Sequence, residues 1–283
     1  MKFFNSTRGL FYFVVIVIAI SIIVILPIYV DVEFLATILG VATFLFGTFM
    51  AFSLSDRHTR IDSIRENDSV ERSQLAFLYR QAIVFGKEFQ KKLQHEIDEY
   101  LMVTLDYTIW DYNKSEKQFA GIEKVIRKAS IKSKVQEVIF SNFIGTLNEI
   151  EISRRKTIGL IDDRISKFEW IVFVSFSLII VASLSLLNSG SGVSLIITFL
   201  ISLSVFILLY FLYSLDILSW KEETRIFEPY AKCFESVGLL RYYPESLIAD
   251  KRVKNYIGKD YRMGTFPNPY PDLSGKKIVV VMN

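Results

Sequence analysis

The chain has 283 residues, 51% of them hydrophobic, and its mean hydropathy of +0.34 is too high for an ordinary soluble domain. Its 33 basic and 30 acidic residues are intermixed and give a formal net charge of only +3, which argues against a nucleic-acid partner. The single cysteine, Cys233, cannot form a disulfide within the chain, and the two histidines, His58 and His95, lie too far apart for a zinc site. We therefore expect a membrane protein with no metal ion, no cofactor and no bound nucleic acid.

Four uncharged stretches approach or exceed the roughly 20 apolar residues that a membrane-spanning helix needs. They are residues 10–30, 35–54, 171–187 and 193–215. Short turns at residues 31–33 and 188–192 join them in pairs, so the sequence predicts two helical hairpins in the lipid bilayer. The first stretch is too long for a typical signal peptide and no small-residue cleavage pattern follows it, so we expect it to remain as an anchor.

Basic residues flank these stretches on one side only. They lie before the first, after the second, before the third and after the fourth, at Lys2, Arg8, Arg57, Arg60, Arg65, Arg164, Lys167, Lys221 and Arg225. Loops with an excess of lysine and arginine remain on the cytoplasmic side of a membrane. We therefore expect a multi-pass protein of the cell (inner) membrane with both termini in the cytoplasm. The predicted domains are a first transmembrane hairpin, a cytoplasmic helical domain, a second hairpin and a cytoplasmic tail, at residues 1–55, 56–169, 170–215 and 216–283.

The second predicted span carries small residues at helical spacing, and the four spans contain no charged residue. The lack of charge argues against a carrier with a proton relay. The small residues favour close packing between helices, which is the simplest interpretation. They would also leave room for ions around an axis, with phenylalanine rings forming an apolar constriction. On that interpretation an oligomer encloses the pore, and the lining residues are Gly40, Thr43, Phe44, Gly47, Phe49 and Ala51.

The apolar helical pattern continues beyond the second span and returns before the third, and each stripe contains charged residues. Glu71 and Arg154 lie about 16 residues from their membrane edges, or about 24 Å at 1.5 Å per residue. Since a charge on an apolar face needs a partner, we predict that Glu71 and Arg154 form an ion pair, with Asp68 and Arg155 as neighbours that share it. This pair would either fix the register of a cytoplasmic helical stalk or form a ligand or gating site.

The rest of the chain predicts helices in the middle segment and a less regular tail. Two shorter amphipathic helices are expected at residues 87–110 and 116–129. The whole middle segment is therefore predicted to be helical. The tail should contain a helix, a break, a proline-rich loop and a strand, at residues 225–240, 242–244, 266–275 and 276–283. That strand would pair with residues 252–257 or with another subunit, unless it is disordered.

The stretch AFSLSDRHTRIDSIRENDSVERSQLAFLYR, which leaves the second span, resembles the bacterial and plant bestrophin-like domain family. More distantly, the order of parts resembles the bestrophin anion channels. The resemblance covers about residues 34–235, and the matching positions are Arg60, Arg65, Glu71, Arg154 and Arg164. It implies a pentamer whose pore is lined by the second membrane helix and conducts small ions.

Three departures from the family pattern limit this resemblance. Arg72 and Ser73 follow the glutamate where the family tends to have alanine and asparagine, and no proline opens the third span. No acidic run after the fourth span matches the calcium clasp of bestrophins, so calcium gating is not implied.

The sequence therefore predicts an all-α membrane protein with four transmembrane helices in two hairpins and long helices that extend into a cytoplasmic helical stalk. We expect a homo-oligomeric ion channel, selective for anions if the resemblance holds, with a pore lined by the second transmembrane helix. The alternative is a non-conducting signalling or effector protein that senses a ligand or partner through its cytoplasmic domain. An enzyme is not expected, because the sequence has no phosphate-binding glycine loop and no nucleophile beside a histidine.

Overall fold

A computed structural model describes residues 31–218, 227–249 and 260–282. The predicted first span at residues 10–30, the basic residues at 2, 8, 221 and 225, and the proposed strand partner at 252–257 lie outside the described residues. The helices are α1 (Val32–Gln81), α2 (Lys87–Asp106), α3 (Glu116–Arg127), α4 (Lys134–Asp162), α5 (Lys167–Leu186), α6 (Gly192–Asp216), α7 (Phe227–Ser236) and α8 (Glu245–Ala249). Two 3₁₀ segments (Ala82–Phe85 and Ile109–Ser115) and strands β1 (Arg241–Pro244), β2 (Tyr261–Thr265) and β3 (Lys277–Val281) complete the fold.

The described chain divides into two compact units. The first unit contains the described residues up to His58 together with Arg164–Ile217, and the second unit contains Thr59–Asp163 and the described residues from Leu218 onward. Helix α1 contributes to both and is continuous for 50 residues. Its sequence has no proline and only two glycines, so nothing in it removes a backbone hydrogen bond.

The described part of the first unit contains three helical segments that are long and apolar enough to cross a membrane: the start of α1, α5 and α6. Their shared core joins Phe46 of α1 edge-on to Phe173 of α5, with ring centroids 6.5 Å apart. Helix α5 begins with a capping box, in which Ser166 Oγ accepts from Glu169 N and the Glu169 carboxylate accepts from Ser166 N. These helices confirm that the protein is mostly helical, with three described segments suited to a bilayer.

The second unit packs the rest of α1 against α2, α3, α4 and α7. The larger of its two described apolar clusters has fully buried members on each of these helices, including Leu78, Ile97, Ile122, Phe143 and Phe234. Helix α1 is followed by a 3₁₀ turn and by Gly86, which has φ of 101°, a conformation that glycine adopts without strain. The predicted helices at 87–110 and 116–129 are observed as α2 and α3, separated by the second 3₁₀ segment.

A small three-stranded sheet in the second unit corrects the all-α prediction. The strand order is β1-β2-β3, with β1 parallel to β2 and β2 antiparallel to β3. The predicted terminal strand is observed as β3, and it pairs with β2 along one edge. The pairing predicted with residues 252–257 lies outside the described residues, and the pairing with another subunit stays a prediction. The predicted break at 242–244 is instead β1, because Tyr242 and Tyr243 are good strand formers and both are fully buried.

Gly264 makes the close contact between β1 and β2 possible. A Cβ atom at this position would lie 1.9 Å from the hydroxyl oxygen of Tyr242. A residue with a side chain here would force the Tyr242 hydroxyl away from Asp106, to which it donates.

Candidate functional site

In the first unit, α1 buries one face, and the opposite face is uncovered among the described residues. Its buried residues are Leu35, Ala42, Phe46 and Met50. The six residues predicted to line a pore are exposed: Gly40, Thr43, Phe44, Gly47, Phe49 and Ala51. A Cβ atom added to either glycine would meet nothing within 4 Å. Among the described residues of one chain, this face therefore has no neighbour within 4 Å of a Cβ atom at either glycine.

The predicted pore-lining set is not uniform in its surroundings. Phe44 is 70% exposed, whereas Phe49 stacks on Phe176 of α5 with centroids 6.2 Å apart and lies at the border of the packed face. Thr48, on the same turn, donates its hydroxyl to the carbonyl of Phe44. The uncovered face is thus centred on the small residues and Phe44.

A buried ion pair lies at the other end of these helices in the first unit. Arg57 is 5% exposed, and its Nη1 lies 3.5 Å from Oδ1 of Asp216, which also accepts from the backbone N–H of Ile165 at 2.9 Å. Asp56 binds the same guanidinium from the solvent side. Sequence reasoning treated Arg57 only as a flanking positive charge and missed Asp216, which directly follows the fourth apolar stretch.

In the second unit, Glu71 of α1 is 1% exposed and accepts two hydrogen bonds. The hydroxyl of Tyr100, on α2, donates to Glu71 Oε1 at 2.6 Å. The hydroxyl of Tyr112, on the second 3₁₀ segment, donates to Glu71 Oε2. Each oxygen of this carboxyl group therefore has its own phenol donor.

Arg154 of α4 is 2% exposed and lies on the other side of Tyr100. Its Nη1 donates to the Tyr100 hydroxyl and to Ser115 Oγ, the latter at 3.1 Å, while its Nη2 donates to Glu116 Oε2 at 3.0 Å. The guanidinium carbon lies 5.0–5.3 Å from the ring centroids of three aromatic side chains, those of Tyr100, Tyr112 and Phe119. Hydrogen bonds and ring faces together compensate this buried cation.

The hydrogen bonds close into a ring. Ser115 Oγ accepts from Arg154 and donates to the backbone carbonyl of Tyr112 at 2.8 Å, whose side chain returns to Glu71. We call the set of Glu71, Tyr100, Tyr112, Ser115 and Arg154 the hydrogen-bonded ring. It joins α1, α2, the second 3₁₀ segment and α4.

The structure thus brings Glu71 and Arg154 together, but not as the direct ion pair that the sequence predicts. Tyr100 lies between them, because α2 inserts an aromatic side chain between the two charges. Asp68 is buried one turn earlier on α1 and acts electrostatically on Glu71. Arg155 does not share the site, since it is exposed and pairs with Glu151 on its own helix.

Burial sets the protonation of this cluster. It raises the pKa of Glu71 above its ordinary value, and the nearby charge of Asp68 acts in the same direction, while Arg154 and the two phenols partly offset the increase. Burial also raises the pKa of Tyr100 and of Tyr112 well above the usual tyrosine range. Both phenols are therefore neutral donors near pH 7.

The C-terminal residues of the second unit are held on α2 by charged contacts that sequence reasoning missed. Arg262 of β2 binds Asp98 with two hydrogen bonds of 2.7 Å, and Lys276 lies 2.5 Å from Asp106. The hydroxyl of Tyr270 donates to Asp111. We call residues 266–276, which join β2 to β3, the C-terminal loop. A pocket of about 440 Å³ opens between the end of α2 and this loop, but two of its charged lining residues, Lys276 and Asp106, already bind each other.

Comparison with known proteins gives one match. A family model described as the bestrophin-like domain matches residues 31–217, more than half of the chain. No curated protein and no solved structure matches it. The matched region contains the three membrane-length apolar segments and the hydrogen-bonded ring, and it indicates a membrane protein of the channel type. The chain therefore belongs to the bestrophin-like domain family.

Proposed function

We propose that the protein is a homo-oligomeric channel for small anions, with a pore lined by the uncovered face of α1. The observation that carries this proposal is the division of α1 in the first unit into a buried face and an uncovered face centred on Gly40, Gly47 and Ala51. The membership in a family of channel-type proteins supports it.

The chemistry of this face suits a narrow pore. Gly40 and Gly47 leave space beside the helix, and Phe44 projects an apolar ring that would narrow the path and gate it by dewetting. No charged residue occurs between Glu33 and Asp56, so the ion would meet no fixed countercharge along this stretch. One chain presents one such face, and several copies around an axis are needed; the resemblance to bestrophins implies five.

The same proposal includes the orientation in the cell membrane. Basic residues follow the α1 apolar stretch and precede α5, at Arg57, Arg60, Arg65, Arg164 and Lys167. The positive-inside rule then directs residues 56–169 and both termini to the cytoplasm.

The test is ion flux into liposomes that contain the purified full-length protein. The key variant is Gly47→Leu, because a Cβ atom there meets no atom within 4 Å among the described residues, so the substitution should leave the fold intact. Ser204→Leu is the matched control, since it also enlarges an exposed small residue, but on α6. We expect chloride flux in the wild type and in Ser204→Leu, and at least a tenfold loss in Gly47→Leu. Equal chloride flux in the two variants would contradict the proposal that α1 lines the pore.

Ion replacement tests the selectivity. Exchange of chloride for gluconate should abolish the flux, whereas exchange of potassium for a large organic cation should leave it unchanged. A folded oligomer that conducts neither ion at any voltage would contradict the proposal and favour the non-conducting signalling or effector protein.

A further inference from the structure

We propose that one end of the second unit is a docking surface for an acidic amphipathic helix of another protein. Two connections form this surface: residues 82–92, between α1 and the first turn of α2, and residues 123–138, between the last turn of α3 and the start of α4. We call it the basic end. No residue of the uncovered face of α1 or of the hydrogen-bonded ring belongs to it, so the inference does not depend on whether the protein conducts ions.

Hydrogen bonds and aromatic packing bring the two connections together. The side-chain Nε2 of Gln136 donates to the backbone carbonyl of Val84 at 3.0 Å, and its Oε1 accepts from the backbone N–H of Lys132 at 2.7 Å. Beside this contact the ring of Phe85 packs on that of Phe143 of α4, with centroids 5.6 Å apart. The two connections therefore lie side by side, and their charges belong to one surface.

The basic end has an excess of positive charge that the chain as a whole does not have. The whole chain carries 33 basic and 30 acidic residues, whereas the basic end carries eight basic and three acidic ones. Lys92 pairs with Glu88 at 2.7 Å and Arg127 with Glu123 at 2.6 Å, and the third acid is Glu137. Six exposed lysines form no ion pair among the described residues: Lys87, Lys91, Lys124, Lys128, Lys132 and Lys134. Like charges in one place repel, so an anionic partner is favoured here.

Aliphatic side chains lie among these lysines and are exposed. They are Ile83, Ile131, Val135 and Val138, and the two valines are each 62% exposed. Val135 and Val138 are three residues apart, so they share one face of α4. Gly145 continues that face two turns after Val138, and a Cβ atom there would meet nothing within 4 Å among the described residues. A second helix therefore has room to lie along α4.

This combination defines the chemistry of the partner. Apolar groups surrounded by charged ones are typical of contacts between proteins, and an amphipathic helix presents an apolar stripe with flanking carboxylates. The stripe would cover the valines, and the carboxylates would pair with the lysines. RNA fits less well, because the one arginine of the basic end is paired with Glu123, and Phe85 and Phe89 pack against the core instead of being open for base stacking.

An anionic bilayer also attracts lysines, but the length of α1 argues against the membrane in which the protein lies. Gln81 ends α1 roughly 40 Å along the helix axis from Leu54, the end of its apolar stretch, at 1.5 Å per residue. Attraction to anionic lipids falls off within a Debye length of about 8 Å. A second copy of the chain would bring the same lysines against each other, so charge complementarity favours an acidic partner.

The test is binding of a fluorescein-labelled peptide of glutamate and leucine, with the leucines on one face of the helix. Fluorescence anisotropy is measured with the full-length protein in phosphatidylcholine nanodiscs, and empty nanodiscs serve as the blank. Lys128→Glu with Lys132→Glu should weaken binding about tenfold or more, because two attractive contacts become repulsive. Val135→Gln with Val138→Gln should weaken it about fivefold or more. Lys117→Glu with Lys156→Glu is the matched control and should change binding less than about twofold, since both lysines are exposed and lie outside the basic end.

A second peptide has the same composition, but its leucines are spread around the helix. It should bind about fivefold weaker or less tightly still, because no apolar stripe can cover the valines. Equal binding of the two peptides, or equal loss in the lysine variant and its control, would overturn the proposal. So would binding of phosphatidylserine vesicles in the absence of peptide binding, or a subunit number that changes in the lysine variant by light scattering.

Amide hydrogen exchange of the wild type locates the contact without any substitution. The first peptide should slow exchange at residues 82–92 and 123–138 of the wild type and leave α5 and α6 unchanged. Protection confined to other parts of the chain would contradict the assignment of this surface.

Discussion

Removal of one oxygen atom from Tyr100 tests how far the hydrogen-bonded ring stabilises the second unit. In Tyr100→Phe the aromatic ring remains, with its centroid 5.9 Å from that of Phe119, so packing is nearly unchanged. Two hydrogen bonds are lost, one donated to Glu71 and one accepted from Arg154. Tyr100 is 0% exposed, so water cannot replace them.

The loss of stability expected in Tyr100→Phe follows from the charge of the two hydrogen-bond partners, Glu71 and Arg154. A hydrogen bond to a charged group contributes about 1.5–3 kcal/mol, and two bonds that share one oxygen are not fully additive, so we expect about 3 kcal/mol. Tyr79→Phe is the matched control. Its hydroxyl is half-buried and lies 3.5 Å from a neutral amide of Gln94, so it should cost about 1 kcal/mol or less.

Amide hydrogen exchange of the full-length protein in micelles measures the free energy of opening of α2 and α4. It reports these helices separately from the membrane helices. We expect exchange in these helices to accelerate about a hundredfold in Tyr100→Phe and less than tenfold in Tyr79→Phe. In the background of Glu71→Gln the effect of Tyr100→Phe should shrink, since a neutral acceptor replaces the carboxyl group. If the two phenylalanine variants behaved alike, the ring would not contribute to stability as described.

Three further predictions concern charge and capping. Arg262→Gln should release the C-terminal loop and raise its rate of proteolysis about tenfold or more. Arg262→Lys should give an intermediate rate, because only arginine can bind both oxygens of Asp98. Equal proteolysis rates in the wild type and the variants would contradict this role of Arg262. Ser133→Ala should destabilise the first turn of α4 by about 1 kcal/mol and Ser133→Asp should not, since Ser133 Oγ accepts from Gln136 N; hydrogen exchange of that turn decides. Because burial raises the pKa of Glu71, the folded state binds this proton more tightly than the unfolded chain, so stability should fall as pH rises from about 4.3 through the folded pKa. In Glu71→Gln the melting temperature should not show this fall with rising pH. The same dependence of melting temperature on pH in the wild type and in Glu71→Gln would refute the prediction.

Hydropathy predicted the three described helices of membrane length but not where they end. The apolar stretch at 171–187 corresponds to α5, which begins earlier, at Lys167, and ends at Leu186. The reason is the capping box of Ser166 and Glu169, which starts the helix inside polar sequence where hydropathy gives no signal. The cap is visible in the sequence as a serine followed three residues later by a glutamate.

The candidate site was predictable only in part, for a different reason. Helical periodicity singled out Glu71 and Arg154 because each interrupts an apolar stripe. It could not supply Tyr100 and Tyr112, since a tyrosine in an amphipathic helix is ordinarily a core residue and nothing local distinguishes one that binds a charge. Likewise the pairing of Arg262 with Asp98 spans 164 residues, and no periodic pattern relates positions so far apart.

The order of the ring along the chain has a consequence for biosynthesis. Its contacts join residues 29, 41, 54 and 39 positions apart, and Arg154 is the last member to be made. Until then the nascent chain exposes Glu71 on an apolar helix without its cation, and an early collapse would trap the acid among hydrophobic side chains. Closure of such distant contacts is slow, and chains paused before Arg154 should depend on chaperones more than chains released after it.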